Sequence, residues 1–284
     1  MHRLSAVGIS GLQAGEDVNS PRVPSVPRLH LPGPIAAGVL DMPADTVRHL
    51  HALRLRPGDE FHVFDGRGGE WEARLVSTAG QARAEILRHV PIERELPWAV
   101  TLAVGMPAND RMDWLMEKAT EMGVAALQPL MTVRSVLRLE RERAARRVAH
   151  WQAVVVAACE QCGRNRIPEV RAVLSLQSWL ATLPAFDGSE AGGRARCLLA
   201  APREAHAAPF AVWAAGYEAS LQADPLAARS ILALSGPEGG LDPEEAARAR
   251  AAGFAPVSLG SRVLRAETAP LAFLAAFGGL APQD

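Results

Sequence analysis

The stretch Ala233–Glu245, ALSGPEGGLDPEE, decides how this chain is read. Four buriable residues, Ile231, Leu232, Ala233 and Leu234, run straight into Gly236-Pro237-Glu238-Gly239-Gly240. Asp242-Pro243-Glu244-Glu245 follows at once, an N-cap, a proline at the first helical position and a capping-box glutamate. A strand therefore ends in a turn almost stripped of side chains and a helix begins. Glycines in such a turn permit positive φ and let a ligand come close to the backbone. A nucleotide phosphate is the first ligand class the turn suggests, but neither phosphate fingerprint is present. No Lys or Ser follows Gly240, as a P-loop requires, and the glycines come too late and too closely spaced for a dinucleotide fold. The plain alternative is a tight turn.

Working outward, the same rhythm repeats. WAVTLAVGM (98–106), VAALQPL (124–130), RCLLAAP (196–202), SILALSG (230–236) and FAPVSLG (254–260) read as buried strands. Between them, Met112, Leu115, Met116, Ala119 and Met122 recur at helical spacing, and helices are expected over 151–162, after Asp242 until Gly253, and over 266–277. Strands alternating with helices imply a parallel sheet with helices on both faces. Ligands of such sheets bind beyond the carboxyl ends of the strands. Two loops occupy that place, 236–240 and Leu259-Gly260-Ser261-Arg262-Val263-Leu264-Arg265.

Residues 26–93 read differently. A short helix over ADTVRHLHALRLRPGD precedes DEFHVF and GEWEARLV, two strands joined by a turn at 65–69, and ARAEILRHV adds a third. In GEWEARLV the alternation puts Trp71, Ala73 and Leu75 on the inner face. A small, mostly antiparallel β domain at 26–93 is expected, joined by PIERELP to a second domain at 97–284. Residues 1–25 are expected to be a disordered extension without the apolar core of a secretory signal.

Hydrophobic residues make up 49% of the 284, enough for two packed cores, and no apolar run approaches the roughly 18 residues of a membrane span. A cytoplasmic location is expected. The net charge of −1 predicts no polyanion partner by itself, but its distribution does. Between Arg134 and Arg171 stand nine Arg against four Glu, with neither Lys nor Asp. Clustered arginine is the footprint of nucleic-acid binding, and a solvated helix face is the alternative. Cys159 and Cys162 form a C-x-x-C with too few companions for a four-ligand zinc site, so buried free thiols and no metal are expected.

SGPEGGLDPEE followed by VSLGSRVLRAETAPLAFLAAF resembles the C-terminal signature of the RsmE-type 16S rRNA uracil-N3 methyltransferases, of the SPOUT superfamily. HALRLRPGDEFHVFDGRGGEW, KATEMGVAALQPLMTVRS and WQAVVVAACEQCGRNRIPEV are similar to the family's other blocks and stand in the expected order. The resemblance implies a trefoil-knotted parallel sheet preceded by a PUA-like RNA-binding domain. It also implies S-adenosylmethionine as cofactor, a homodimer, and methylation of uracil-1498 in 16S rRNA of the small ribosomal subunit. Leu199, Gly236, Pro237, Glu238, Gly239, Gly240, Leu259, Gly260, Val263 and Leu264 would hold the cofactor, several of them through backbone groups.

Methylating uracil N3 requires loss of the imide proton and stabilisation of charge on the flanking oxygens. Arg265 is the candidate cation, and Glu238 or Glu267 the candidate proton acceptor if a dry site raises its pKa. Glu267 could instead serve the helix dipole, and Glu238 could tie down its own loop. Arg54, Arg56, Arg134 and Arg164 are expected to contact RNA, with Ser135 a weaker candidate. A simple Glu160–Arg164 pair along one helix is the alternative for Arg164, and a Lys118–Glu121 surface pair is expected. Two other functions stay open: a non-catalytic RNA-binding protein on the same fold, and a SPOUT methyltransferase for another RNA.

Overall fold

A computed structural model describes residues 26–79, 81–186, 194–200, 204, 206–223 and 229–280. The extension expected at 1–25 lies outside the described residues.

The amino-terminal domain is a five-stranded sheet in the order β1-β3-β4-β5-β2. Its strands are β1 (Arg28–His30), β2 (Gly38–Asp41), β3 (Glu60–Phe64), β4 (Glu70–Ser77) and β5 (Arg83–Val90), with helix α1 (Ala44–Ala52) between β2 and β3. Among the described residues its β1–β3 pair is parallel and the other pairs are antiparallel. Leu29, Phe61, Val63, Ala73, Leu75, Ala84 and Ile86 form its core. The expected alternation in β4 holds: Ala73 and Leu75 belong to this core and Trp71 packs against it, half-buried beside His89. The register against β5 shifts between Glu72 and Ala73, where the extra residue is Leu87 of β5, and again between Leu75 and Ser77. Glu70, on the other face, is nonetheless only 3% exposed, because Arg28, His62 and Arg94 gather around it.

The second domain is built on eight parallel strands: β6 (Ala99–Gly105), β7 (Ala126–Met131), β8 (Glu169–Val170), β9 (Leu174–Ser175), β10 (Arg194–Ala200), β11 (Ala208–Pro209), β12 (Ser230–Ser235) and β13 (Ala255–Ser258). Their order is β11-β13-β10-β12-β6-β7-β8, with β9 also on β7. Helices α2 (Asn109–Glu121), α3 (Arg141–Cys162), α5 (Phe210–Ala223) and α7 (Thr268–Gly278) cover one face, and α4 (Leu176–Thr182) and α6 (Pro243–Ala251) the other. Strand alternation divides the two cores. Val100, Leu102, Val104, Ile231 and Ala233 pack under α2 and α7, while Ala103, Leu234 and Leu198 meet Trp179 of α4 and Ala249 of α6. An aromatic cluster locks α5 to α7, with Phe210 5.3 Å from Phe277 edge to face. Truncating such a ring costs about 3–5 kcal/mol.

Helix α3 begins ten residues earlier than its apolar pattern suggests, because its first turns carry arginines and no buried stripe. Helix α6 has the expected cap: Asp242 accepts from Glu244 N–H at 3.0 Å and Glu245 accepts from Asp242 N–H at 3.1 Å. After α6 the chain forms β13 on the far side of β10, then returns to lay α7 against β6 and β12. That return carries the 259–265 loop past the 236–240 loop.

The two domains meet along a polar seam. Arg28 bonds Glu70 and Asn165 Oδ1 (2.6 Å), Arg94 reaches Gly163 O (2.8 Å), and His30 N–H donates to Glu160 at 2.9 Å. The PIERELP connection is held here too, through Glu93–Arg166 and Glu95–Arg164.

Candidate active site

The carboxyl ends of β10, β12 and β13 are level, with Leu198 opposite Leu234 and Ala200 opposite Ser258. Beyond them opens a cavity of about 650 Å³, within the usual size range of small-molecule sites. Leu199, residues 236–240, Leu259, Gly260, Val263, Leu264 and Arg265 all line it. The two loops named from the sequence are brought together because β12 and β13 flank β10 on opposite sides.

The first loop is tight by construction. Gly240 N–H donates to Pro237 O at 2.8 Å. A side chain at Gly236 would bring its Cβ to 2.9 Å from the Leu241 nitrogen, so only glycine lets the loop close. Across the cavity Gly260 has φ +117°, and a Cβ there would meet open space. The second loop therefore presents bare backbone to the cavity. Val263 is 81% exposed, so its side chain contributes only at the rim. Arg265 is also exposed, while its carbonyl accepts from Thr268 and Ala269 N–H, each at 3.0 Å, to start α7.

Two arginines clamp the first loop. Arg134 donates to Gly239 O at 2.9 Å and lies 3.8 Å from Asp242. Arg111 donates to Glu238 Oε1 at 3.0 Å, an oxygen that also accepts from Ala108 N–H at 3.2 Å. Glu238 thus ties its loop to the start of α2. Glu267, the residue before α7, makes no capping bond. Its Oε1 lies 3.8 Å from Arg111 Nε, and its buried Oε2 has no hydrogen-bond partner among the described residues. Arg111 lines both the main cavity and a smaller hollow shared with Trp114 and Glu267. Sequence reasoning missed Arg111, although its position just past the carboxyl end of β6 falls under the rule that drew attention to the other two loops.

The four arginines expected at RNA separate. Arg54 and Arg56 are exposed at the end of α1, Arg54 with φ 57°. Arg134 faces the 236–240 loop. Arg164 is a correction: it is 3% exposed, paired with Glu95 and donating to Thr120 O at 2.9 Å. It lies beyond the end of α3, so its Coulombic partner comes from the domain connection and not from Glu160 one turn back. Ser135 is likewise buried, with its hydroxyl 3.0 Å from Thr132 Oγ1. Lys118 does pair with Glu121, at 2.7 Å. Cys159 is buried and Cys162 half-buried, both free, and burial pushes the Cys159 thiol up to about 12. Among the described residues no group of three or more His, Cys, Asp or Glu could hold a metal ion, and no helix is long and apolar enough to cross a membrane.

Comparison with known proteins agrees with this architecture. Residues 94–278 match the RNA methyltransferase domain model and residues 43–87 the RNA methyltransferase PUA domain model. Ribosomal RNA small subunit methyltransferase E of Synechocystis sp. is 37% identical over 239 residues, 83% of this chain and 72% of that one. The Mycobacterium tuberculosis protein of the same name is 33% identical over 256 residues, 88% and 89% of the two chains. Among solved structures, ribosomal RNA small subunit methyltransferase E from Neisseria gonorrhoeae, bound to S-adenosyl methionine, superposes with a TM-score of 0.76 at 36% identity, covering 90% of this chain and 98% of that one. A putative methyltransferase from Legionella pneumophila, in complex with the same cofactor, gives 0.75 at 28% identity, over 90% and 98%. A β domain of the PUA type, a parallel sheet ending in two side-chain-poor loops, and this degree of identity to its relatives together mean that the chain belongs to the RsmE family of ribosomal RNA small subunit methyltransferases.

Proposed function

We propose that the chain transfers a methyl group from S-adenosylmethionine to N3 of a uracil in 16S rRNA of the small ribosomal subunit, at position 1498. The observation that carries this reading is the convergence of the 236–240 and 259–265 loops on one cavity of about 650 Å³. The residues present suit the cofactor: Leu199 and Leu264 offer apolar surface, and the open space over Gly260 leaves backbone groups accessible to a nucleoside. Bound there, the cofactor would supply an electrophilic methyl group, while the chain supplies orientation and charge.

Backbone groups of Gly236, Leu259, Gly260 and Leu264 would hold the nucleoside end. Arg265, exposed at the rim, would face the uracil oxygens or a neighbouring phosphate and stabilise the negative charge that spreads over the base. Of the two carboxylates, Glu238 has Oε1 committed to Arg111 and Ala108. Glu267, which lines the adjoining hollow with Arg111, has an oxygen without a partner among the described residues and is the better acceptor for the imide proton. In this scheme the N3–H proton passes to Glu267 and the freed nitrogen lone pair takes the methyl group.

The reading extends to a homodimer in the bacterial cytoplasm. Trp114 and Val263 leave apolar surface exposed beside the cavity that a second copy would cover. It also includes a trefoil knot, supported by the return of the chain from β13 past the 236–240 loop to α7. The decisive experiment is mass-spectrometric mapping of 16S rRNA from a deletion strain. Loss of one 3-methyluridine, restored by the wild-type gene and not by Arg265→Ala, is expected. Unchanged 3-methyluridine would remove the substrate assignment.

A further inference from the structure

We infer that the amino-terminal half of α3 is a docking ridge for the phosphate backbone of folded RNA, formed by Arg141, Arg143, Arg146 and Arg147. The inference rests on the reading that the substrate is RNA, and it adds a surface outside the cavity.

The ridge is defined by what its arginines lack. Arg28, Arg94, Arg111, Arg134, Arg164 and Arg166 each lie within ion-pair distance of a carboxylate. Arg141, Arg143 and Arg146 are exposed, Arg147 is half-buried, and none of the four enters an ion pair among the described residues. Within this stretch of α3 the acidic residues are Glu140, just before the helix, and Glu142, both exposed. Glu142 and Arg146 stand four apart, but no ion pair among the described residues ties these arginines to the helix that carries them. Cations in the first turns oppose the helix dipole, and Arg143 and Arg147 are like charges four residues apart. Both arrangements cost stability and are relieved by an anion supplied from outside. Arginine's planar fork suits phosphate.

The ridge also stands at the right end of the molecule. Helices α2 and α3 run parallel. Asp113 of α2 accepts from Trp151 Nε1 at 2.9 Å and lies 2.8 Å from His150, while Thr120 near its end accepts from Arg164, just past α3. Residues 141–147 therefore stand level with and beyond the first turn of α2, where Arg111 lines the cavity. The β domain is held at the other end of α3, through Glu160 and His30. Twenty-two residues of helix separate the two ends, about 33 Å. RNA gripped by the β domain alone would be anchored at the end of α3 remote from the cavity. The arginine ridge supplies backbone contacts beside it. Contacts of this kind are indifferent to sequence and strongly dependent on salt.

The test uses the full-length chain and an in vitro transcript of 16S rRNA. RNA affinity is measured against salt concentration for the wild type, for a variant with Arg→Gln at all four positions, and for one with Arg→Lys. Binding of S-adenosylmethionine is followed in parallel by calorimetry. The Gln variant is expected to bind RNA roughly tenfold or more weakly at about 0.15 M salt, with a log–log salt slope shallower by about 3. The Lys variant is expected to retain most of the slope, and cofactor affinity to be the same in all three. Wild-type slope and affinity in the Gln variant would overturn the ridge and leave the proposed function standing. A wild-type chain that binds no RNA at any salt would instead overturn the proposed function. Should the fourfold Gln variant lose cofactor binding as well, the paired variants R141Q/R143Q and R146Q/R147Q decide, each expected to remove about half of the slope change.

Discussion

Arg111, in the first turn of α2, and Glu238, in the glycine loop, join segments 127 residues apart in the chain, Nη1 to Oε1 at 3.0 Å. Both side chains are partly exposed, so the pair adds about 0–1 kcal/mol to stability. Its consequence is geometric: the glycine loop is fixed to the start of α2. Arg111→Ala is expected to weaken S-adenosylmethionine binding by about tenfold with little change in thermal midpoint, a small loss of binding energy spread over a misplaced loop. Calorimetry and a melting curve on the same sample check this. Unaltered affinity would mean that Arg134 and Ala108 hold the loop without it.

Glu267 and Glu238 are distinguishable by substitution. Glu267→Gln removes the proposed proton acceptor while keeping its shape, and turnover is expected to fall by about 10²–10⁴-fold at unchanged cofactor affinity. Glu238→Gln is expected to act mainly on cofactor affinity. Single-turnover methylation of 16S rRNA with each variant reads both effects. Full activity of Glu267→Gln would return that residue to the role of a helix-end charge.

Gly260 cannot be replaced freely. At φ +117° an L side chain costs about 1–3 kcal/mol of backbone strain, and a branched one would stand in the cavity. Gly260→Val should abolish measurable cofactor binding while the protein still folds, as circular dichroism would report. A variant that binds normally would place the cofactor away from this loop.

The domain seam makes stability depend on acid. Burial alone would raise the Glu70 carboxyl, but the hydrogen bond from Arg28 and the charges of Arg28 and Arg94 outweigh it and hold it below the usual range. A depressed carboxylate contributes stability above its unfolded pKa, and that contribution is lost as pH falls through the folded value. Glu70→Gln, which leaves Arg28 without its partner, should therefore cost about 3 kcal/mol at neutral pH and progressively less below pH of about 4. Glu160, in the same seam, is pushed upward by burial and works in the opposite direction, so the wild-type-minus-variant difference is the quantity to follow. Denaturant unfolding at pH 7 and pH 3 measures it. An equal difference at both would show that Glu70 is not the titrating group.

Much of the site was legible because the features that make it are local. A glycine turn, a capping box and alternating apolar residues are each written within ten residues of sequence, so both loops and the helix after Asp242 could be read directly. The same locality explains the misreadings. Glu70 stands on the outward face of β4 and is buried because Arg28 and Arg94 gather around it at the domain seam, which no pattern within β4 encodes. Arg164 follows a helix rich in exposed arginines, and only the fold brings Glu95 to it.

The order of elements, the two apolar faces of the sheet and the stripped backbone of its last loops were determined by the sequence alone, because they depend on side-chain type and spacing along the chain. Tertiary structure decided which charges find partners. Arg111, Arg134 and Arg164 are taken up by acceptors far away in sequence, while Arg141, Arg143, Arg146 and the half-buried Arg147 enter no ion pair among the described residues. Pairing between charges depends on distance in space, and that distance exists only once the chain has folded.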